Sequence, residues 1–328
     1  MDRKELRKSK KKRKRNRIIL ISLSLLLVLI SFGGYLFFRT YQAANETYDD
    51  LGRDKSELRQ KEVSISDDPV SILLMGVENY SSGDQSGRSD TLMVATFNPK
   101  DEHLKLLSIP RDTRVVIPDR DGKDKINHAF AFGGKELTIQ TVERFLNIPI
   151  DYYATVNFDG LKSIVDTVGG ITVDVPFDFK QNSDDRVAEK LQFYEGEMEL
   201  NGRYALAYAR MRLEDPRGDI GRNERQKQVV EAIIEELISA STIMKIDNLA
   251  KDLESNLETN MKLREAVAFF RRYSDFRVSN IDQITLEGES QYINSLSYYI
   301  PTEESLNEVK NELRNHLELE SDGNMTEE

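Results

Sequence analysis

The chain of 328 residues contains no cysteine and only three histidines, His103, His128 and His316. Without cysteine it cannot form disulfides, thiolate metal sites or a cysteine nucleophile, although this absence does not identify a compartment. So few histidines also argue against a histidine-rich metal site. We interpret His128, in the stretch KINHAFAFGG, as a packed or loop-bonding residue rather than a catalytic one.

Common motifs of nucleotide and protease chemistry are missing as well. The sequence has no G-x-x-x-x-G-K-[ST], no G-x-G-x-x-G after a predicted strand, no H-E-x-x-H and no G-x-S-x-G. Nucleotide hydrolysis, dinucleotide redox chemistry and zinc proteolysis therefore lack support. The tripeptide Arg217-Gly218-Asp219 matches a cell-adhesion motif, but three residues often match by chance, and we interpret it as a turn.

The N-terminus has the pattern of a membrane anchor. Residues 1–17 hold eleven Lys or Arg against two acids, and residues 18–38 follow without a charge. Twenty-one helical residues match the hydrocarbon core of a bilayer, about 30 Å thick. A cleaved signal peptide is the alternative, but its apolar region is usually shorter and precedes a small-x-small cleavage site. The basic tail predicts a cytoplasmic N-terminus and an extracellular remainder, hence a single-pass protein of the cell membrane.

Net charge limits the partners of the exported part. The chain carries −11 and residues 1–17 carry +9, so the remainder carries about −20 (−11 minus +9). Such an acidic body does not offer a general surface for polyanions. We therefore interpret the basic tail as a topology signal and expect no nucleic-acid partner; any anion site on the body must be local.

Composition divides the rest of the chain into a linker, one body and a tail. Residues 39–68 are polar without a long apolar face and are interpreted as a stalk or short helix. Residues 69–318 alternate strand-like and amphipathic helical runs without an internal repeat. This alternation predicts an α/β body with helices on both sheet faces, layered α/β/α. Residues 319–328 are acidic and are predicted to be disordered.

Hydrophobic spacing and turn residues place the main elements. Strands are predicted at 70–77, 91–97, 103–109, 152–158, 171–175 and 282–288. Helices are predicted at 135–147, 159–168, 223–240, 263–273 and 303–318.

Three polar clusters lie at predicted strand ends or helix starts, where α/β folds bind ligands. The third belongs to YARMRLEDPRGDIGRNERQ (208–226), which holds five arginines and no lysine. The clusters comprise Glu78 to Asp90, ending Gly87-Arg88-Ser89-Asp90; Ser108 to Arg114, including Arg111 and Asp112; and the 208–226 stretch, with Arg210, Arg212, Asp219, Arg222, Arg225 and Gln226.

These clusters have the chemistry of a diphosphate site with a magnesium ion. Arginine presents a planar fork of donors that binds phosphate oxygens in pairs. A helix start adds backbone N–H groups, so Arg222, Arg225 and Gln226 lie where phosphate is expected. The acids Glu78, Asp90, Asp112 and Asp219 are the ligand type of Mg²⁺, which is commonly held by one or two carboxylates and substrate phosphates. The alternative is a set of surface ion pairs, each contributing about 0–1 kcal/mol.

Six motifs, in this order behind the predicted anchor, resemble the LytR-CpsA-Psr family of Gram-positive bacteria. They are GRSDTLMVATFNP, LLSIPRDTRVVIP, KINHAFAFGG, VDTVGGITVDV, LNGRYALAYARMR and GDIGRNERQ. The resemblance implies a mixed sheet flanked by helices and an apolar pocket for a lipid. It also implies a transferase that moves a glycopolymer, such as wall teichoic acid, from a polyprenyl diphosphate to peptidoglycan outside the membrane.

The resemblance also assigns roles to residues. It implies that Arg111, Arg210, Arg212, Arg222 and Gln226 bind the diphosphate, and the residue pattern adds Arg88 and Arg225. It implies that Mg²⁺, or Mn²⁺ in its place, is held by Asp90 and by an acid at the end of the preceding strand. That acid is Glu78 here, where family members commonly carry aspartate.

The remaining chemical roles are open at this point. Either Asp112 or Asp219 is expected to orient the acceptor hydroxyl, while Arg111 contributes to catalysis through the phosphate. Two other functions compete with transfer: a membrane protein that senses polyprenyl diphosphates without catalysis, and a hydrolase that uses water as the acceptor.

Overall fold

The structure, a computed structural model, describes residues 48–77, 87–183, 190–238, 256–273 and 276–320. The predicted cytoplasmic tail (1–17) and membrane span (18–38) lie outside these residues, as do Glu78 and positions 321–328 of the acidic tail. Within the described residues, no helix has the length and apolar character needed to cross a membrane.

Fourteen strands and six α-helices are described. The strands are β1 (Val70–Val77), β2 (Ser89–Asn98), β3 (His103–Ser108), β4 (Arg114–Val116), β5 (Lys123–Lys125), β6 (Tyr152–Asn157), β7 (Ile171–Val175), β8 (Phe179–Gln181), β9 (Leu191–Phe193), β10 (Gly196–Leu200), β11 (Leu257–Thr259), β12 (Ile281–Ile284), β13 (Gly288–Ile293) and β14 (Leu296–Pro301). The helices are α1 (His128–Leu146), α2 (Phe158–Val168), α3 (Gly202–Arg210), α4 (Asp219–Ile238), α5 (Leu263–Arg272) and α6 (Glu303–His316).

A six-stranded mixed sheet forms the centre of the body, in the order β11-β6-β1-β2-β3-β12. Strand β1 pairs antiparallel with β2 and parallel with β6, and β3 pairs antiparallel with β2 and parallel with β12. The expected mixed sheet is confirmed. Because β1, β2 and β3 are consecutive and antiparallel, the end of β1, the start of β2 and the end of β3 meet at one edge.

Helices cover both faces of this sheet. On one face, alternate residues of β1 such as Leu73 and Met75 pack in one core with Val142 of α1 and Leu313 of α6. On the other face, Met93 and its buried neighbours pack against α4, and aromatic residues of α5 pack near the far end of β2. The α/β/α layering predicted from alternating elements is therefore confirmed.

A second, smaller core lies beside the sheet. Helices α2 and α3 pack with the β7–β10 and β8–β9 pairs and with α4, around Phe193 and Tyr208, which are 0% exposed. Asn157 caps α2 by accepting a hydrogen bond from the Gly160 N–H, and Asn201 caps α3 in the same way at Tyr204. This core supports α3 and α4, the two helices that flank the arginine-rich stretch.

Two helices begin earlier than predicted. Helix α1 starts at His128 instead of 135, with Gly133 and Gly134 in non-helical conformations that kink it. The prediction recognised only the part that follows this kink. Helix α4 starts at Asp219 instead of 223, so Arg222 lies in its first turn and Arg225 in its second.

The linker prediction is wrong for residues 48–68, which pack on the body. Arg59 is buried and its Nη2 lies 2.6 Å from Asp151 Oδ2. Arg53 binds Glu143 at 2.8 Å, and Ile65 is buried in a core with residues of the sheet. A polar segment looks like a linker locally because its ion-pair partners stand about ninety residues away along the chain.

Two hairpins complete the edge of the sheet near Arg111. Strands β4 and β5 pair with each other, and so do β13 and β14. Tyr299 of β14 donates its backbone N–H to the Asp112 carbonyl oxygen at 2.8 Å, which ties the second hairpin to the segment after β3.

Candidate active site

Asp90 lies in a β-bulge at the start of β2. Gly76 pairs with Thr91 and Val77 pairs with Ser89, so Asp90 is the extra residue between two pairs. A bulge bends its strand and re-aims the side chain. Glycine is required opposite it, because a Cβ on Gly76 would stand 2.9 Å from the Thr91 Cβ.

Arg111 lies just beyond the end of β3 and binds the Asp90 carboxylate. Its Nη1 donates a hydrogen bond to Asp90 Oδ1 at 2.6 Å, and the two side chains are 25% and 32% exposed. Burial opposes the charge of Arg111, but the hydrogen bond and charge of Asp90 raise its pKa above the ordinary value. The first and second polar clusters of the sequence therefore meet here.

The third cluster joins them through the first turn of α4. Asp219 Oδ1 lies 2.8 Å from the Nε of Arg212 and 3.1 Å from an Nη of Arg222. Arg222 is 8% exposed, and its charge interacts with those of Asp90 and Arg111 as well as Asp219. Three arginines and two carboxylates thus form one charge cluster at the edge of the sheet, called below the arginine cluster (Asp90, Arg111, Arg212, Asp219 and Arg222).

Two hydrogen-bond donors of the arginine cluster have no acceptor among the described residues. The Nε groups of Arg111 and Arg222 are buried and find no hydrogen-bond acceptor among the described residues. Burial, together with the like charges of Arg111 and Arg212, lowers the pKa of Arg222 below its ordinary value despite the opposing effect of Asp219. Buried donors without acceptors are rare, and an anion in the cluster would satisfy them and relieve the excess positive charge.

Arg210 lies two residues before Arg212, and Gln226 lies one helical turn after Arg222 on α4. Arg210 ends α3, and its guanidinium lies 4.5 Å from the centre of the Phe158 ring. Gln226 is 8% exposed, and its amide nitrogen makes a long contact of 3.4 Å with the Ala209 carbonyl oxygen. Arg88, predicted as a further ligand, is exposed on the residue before β2 begins.

Arg225 must be removed from the predicted diphosphate ligands. Its side chain is 1% exposed and forms an ion pair with Asp215, whose side chain is 0% exposed. A second terminal nitrogen of Arg225 binds the Met211 carbonyl oxygen. Both terminal nitrogens are therefore used inside the chain, and Arg225 holds the loop between α3 and α4 rather than a ligand.

Asp112, the residue after Arg111, has a partner that the sequence did not single out. Lys125 Nζ donates to Asp112 Oδ1 at 2.8 Å, and the same ammonium lies 5.8 Å from the centre of the Tyr298 ring. The charge of Asp112 also acts on Arg111. Lys125 belongs to the KINHAFAFGG stretch, but nothing in that stretch indicates that it meets Asp112. His128 of the same stretch lies 3.0 Å from Asp124, as a loop-bonding residue would.

The metal prediction fits the described residues in part. Asp90 supplies one carboxylate beside phosphate-binding donors, whereas Glu78 lies outside the described residues. Among the residues that can be examined, no three His, Asp or Glu side chains form a group that could hold a metal. Magnesium is commonly held by one or two carboxylates with the rest of its shell from phosphates and water, so Asp90 suits an ion that arrives with a diphosphate.

Comparison with known proteins places the chain in a family. The LytR_cpsA_psr family profile matches residues 34–315. The chain belongs to the LytR_cpsA_psr family. The resemblance carried by the six sequence motifs is thereby confirmed.

Members of this family with known names are similar over most of the chain. TagV of Bacillus subtilis (strain 168), named a polyisoprenyl-teichoic acid–peptidoglycan teichoic acid transferase, is 48% identical over 298 residues, 89% of this chain and 76% of TagV. TagU of Halalkalibacterium halodurans, with the same named activity, is 44% identical over 88% of this chain and 93% of TagU.

Solved structures of the family share the fold. The crystal structure of B. subtilis TagV has a TM-score of 0.70 at 48% identity and covers 77% of this chain and 99% of that chain. A structure of TagT bound to LIIa-WTA has a TM-score of 0.69 at 33% identity and covers 83% of this chain and 99% of that chain. This chain therefore shares its fold with a relative whose structure was solved bound to LIIa-WTA.

Proposed function

We propose that this LytR_cpsA_psr protein transfers a glycopolymer phosphate, of the wall teichoic acid type, from a polyprenyl diphosphate carrier to peptidoglycan. The relatives named above are teichoic acid transferases and match most of the chain. The observation that carries the proposal is the excess of one positive charge in the arginine cluster, where the buried Nε groups of Arg111 and Arg222 have no acceptor among the described residues and can donate to an anion. A diphosphate offers several oriented oxygens to such a set.

The reaction joins an acceptor hydroxyl to the phosphorus that bears the polymer. The new P–O bond forms as the bond from that phosphorus to the bridging oxygen breaks, and polyprenyl phosphate leaves with the bond electrons. The hydroxyl proton is lost to a nearby base or to water. Phosphoryl transfer of this kind depends mainly on positioning and on stabilising charge at the phosphate oxygens.

The residues of the arginine cluster divide this task. Arg111 and Arg222 are half-buried or buried, so their donors act on phosphate oxygens in a less polar environment than water. Arg212 of the cluster and Arg210, two residues before it, are exposed, and we expect them to bind the rest of the diphosphate. Gln226 adds an amide whose present contact, at 3.4 Å, is weak enough to exchange for a ligand.

Asp112 is the better placed of the two acids for orienting the acceptor hydroxyl. Asp219 lies between Arg212 and Arg222, so its carboxylate serves to hold those arginines. Asp112 pairs with Lys125 rather than with an arginine of the cluster, and its side chain is 25% exposed. An acceptor can therefore approach Asp112 without displacing a phosphate-binding arginine.

A divalent metal belongs to this proposal as a partner of Asp90. Mg²⁺, or Mn²⁺, would neutralise charge on the phosphate oxygens of the bound donor. We expect Asp90, with Glu78, to hold the ion. Because Mg²⁺ is commonly held by one or two carboxylates together with substrate phosphates, its affinity should depend on the diphosphate.

Membrane attachment through residues 18–38 is part of the same proposal. A polyprenyl-linked donor is confined to the bilayer, so an anchored enzyme with its body outside meets the donor at high local concentration. The uncharged run behind a basic tail supports this topology.

The test is a transfer assay with the purified protein, a lipid diphosphate donor and peptidoglycan oligomers. We expect a polymer–peptidoglycan conjugate that forms with Mg²⁺, disappears with a chelator, and is nearly lost in Arg111→Ala. Arg264→Ala, an exposed arginine of α5, is the matched control and should retain activity. Free polymer phosphate without conjugate would indicate a hydrolase, and tight donor binding without any product would indicate a sensor.

A further inference from the structure

The loop between α3 and α4 exposes two aliphatic side chains beside the arginine cluster. Leu213 is 94% exposed and Ile220, in the first turn of α4, is 60% exposed. Each follows one member of the Arg212–Asp219 ion pair in the sequence. Single exposed apolar residues are ordinary on protein surfaces, so their meaning depends on whether the backbone holds them there.

The backbone does hold them. The carboxylate of Asp215, fully buried, pairs with Arg225 and also accepts a hydrogen bond from the Arg217 N–H at 2.7 Å. Gly221 makes room for this carboxylate, since a Cβ there would lie 1.8 Å from Asp215 Oδ2. A loop tied to the helix beneath it by a buried ion pair cannot fold Leu213 back onto the body.

The charged neighbours of these aliphatic residues are of both signs. The side chains of Arg212 and Arg217 are 48% and 47% exposed. Acids are interleaved with them: Glu224 lies 2.5 Å from Arg217, and Glu214 is half-exposed. The loop therefore lacks the strong positive charge of a polybasic membrane segment, and apolar contact must supply much of its attraction.

We propose that residues 212–220 contact the outer surface of a phospholipid bilayer, with Leu213 and Ile220 entering the boundary between headgroups and acyl chains. This inference rests on the proposed function, because a donor diphosphate remains attached to a lipid at that surface. The same loop carries Arg212 and leads into Asp219 and Arg222. A contact made by the loop sets the arginine cluster at the depth where the diphosphate lies.

The chain contains no tryptophan, so a single introduced tryptophan reports its own environment. Full-length Leu213→Trp is reconstituted in vesicles of phosphatidylcholine and phosphatidylglycerol, with and without phospholipid brominated on its acyl chains. We expect its emission to shift to the blue and to be quenched about twofold by brominated lipid, since interfacial side chains enter the acyl boundary. Ile220→Trp should respond in the same direction.

Lys100→Trp is the matched control. Lys100 is exposed in the turn between β2 and β3, at the opposite end of these strands from Asp90 and Arg111. Strands of this length separate the two ends by roughly 20 Å, so the control should emit as in water without quenching.

Emission from Leu213→Trp that is unquenched by brominated lipid would overturn the proposal. A blue shift without quenching would also overturn it, since the side chain would then contact protein, for example a second copy of the chain. The fluorescence measurement does not require that the protein catalyse transfer, so it tests the membrane contact separately from the proposed function. Normal transfer with no quenching would refute the membrane contact alone, whereas quenching without any transfer would refute the proposed function alone.

Discussion

At the scale of single residues, the site depends on the shape of arginine as much as on its charge. Arg111 binds Asp90 through one terminal nitrogen and keeps a buried Nε donor without an acceptor among the described residues. A lysine would place one hydrated point charge where a planar fork now stands. The geometry of the fork is therefore expected to matter for catalysis.

Arg111→Lys should lower kcat for glycopolymer transfer by about two orders of magnitude, the scale of losing one preorganised donor to a developing charge. Binding of the donor should weaken less, because the positive charge remains. Steady-state kinetics with the lipid diphosphate donor measure both. Activity within about twofold of the unmodified protein would contradict a role for the guanidinium fork.

At the scale of elements, the buried Asp215–Arg225 pair joins the loop before α4 to the helix itself. Asp215→Ala leaves the Arg225 charge buried without its partner, and it should lower the free energy of unfolding by about 3–5 kcal/mol. Replacing both residues by apolar ones, as in Asp215→Leu with Arg225→Met, should restore part of that loss. Urea unfolding of the three proteins tests both expectations.

The control for this pair is an exposed one nearby. Glu224→Ala breaks the contact with Arg217, in which both side chains are nearly half exposed, and should cost no more than about 1 kcal/mol. An equal loss of stability in Glu224→Ala and Asp215→Ala would mean that burial does not make the Asp215–Arg225 pair more important for stability than an exposed pair.

A buried histidine, His316, joins helix α6 to the sheet, and it should make the stability of the fold depend on pH. His316 Nδ1 lies 2.7 Å from Thr96 Oγ1, and burial lowers the pKa of His316 below its ordinary 6.5. The charges that face it act in both directions: Asp101 and Asp282 raise its pKa, whereas Lys105 and His103 lower it.

The sign follows from the lowered pKa. The unfolded chain takes up the proton near pH 6.5 while the folded chain resists it, so stability falls as the pH drops through 6.5 towards the folded pKa of His316. The Tm of His316→Gln should therefore fall less than the Tm of the unmodified protein when the pH is lowered from about 7.5 to 5.5. His128→Gln, which replaces a histidine whose charge does not act on His316, is the control and should keep a larger loss of Tm than His316→Gln.

At the scale of the whole molecule, residues 48–68 belong to the folded body. Arg59 and Asp151 are nearly buried at 8% and 4% exposure of their side chains, and Arg53 binds Glu143 near the end of α1. These contacts join the chain that follows the predicted anchor to β6 and α1. The body should therefore depend on this segment for its stability.

A protein that begins at Pro69 should unfold at a lower temperature than one that begins at Tyr48, because it leaves Asp151 and Glu143 without their arginines. Arg59→Ala in the longer protein should reproduce a large part of the loss, about 3 kcal/mol. Differential scanning calorimetry of the three proteins provides the comparison. Equal melting temperatures for the two lengths would restore the interpretation of residues 48–68 as a linker.

Much of the fold could be predicted from local patterns. Apolar runs such as residues 70–77 identify buried strands. Helical spacing identifies five of the six described helices, but it misses α3 and the first seven residues of α1. The same patterns could not show residues 48–68 docking on the body, because their partners are remote in sequence. The β4–β5 and β8–β9 pairs and β11 were missed as well, since strands of three residues carry little periodic signal. The β13–β14 hairpin was missed although its strands hold six residues each, because most of the β13 residues are exposed and do not form an apolar run.

The candidate site was predictable as a set of chemical groups. Five of its predicted residues, Asp90, Arg111, Arg212, Asp219 and Arg222, meet in one arginine cluster. Arg222 and Arg225 look equivalent in the sequence, three residues apart at the start of one helix. Only the packed structure separates them, because Arg225 turns beneath the loop to Asp215 while Arg222 faces the cluster.

By itself the sequence determined the classes of chemistry that are excluded, the alternation of strands and helices, the family, and the choice of arginine and carboxylate as reacting groups. The tertiary structure decided which of these groups face a ligand and which only hold the fold. The physical reason is that the partner of a charged side chain is chosen by proximity and burial. A bulge at Asp90, a buried carboxylate at Asp215 and a lysine that reaches Asp112 arise only when distant segments pack together.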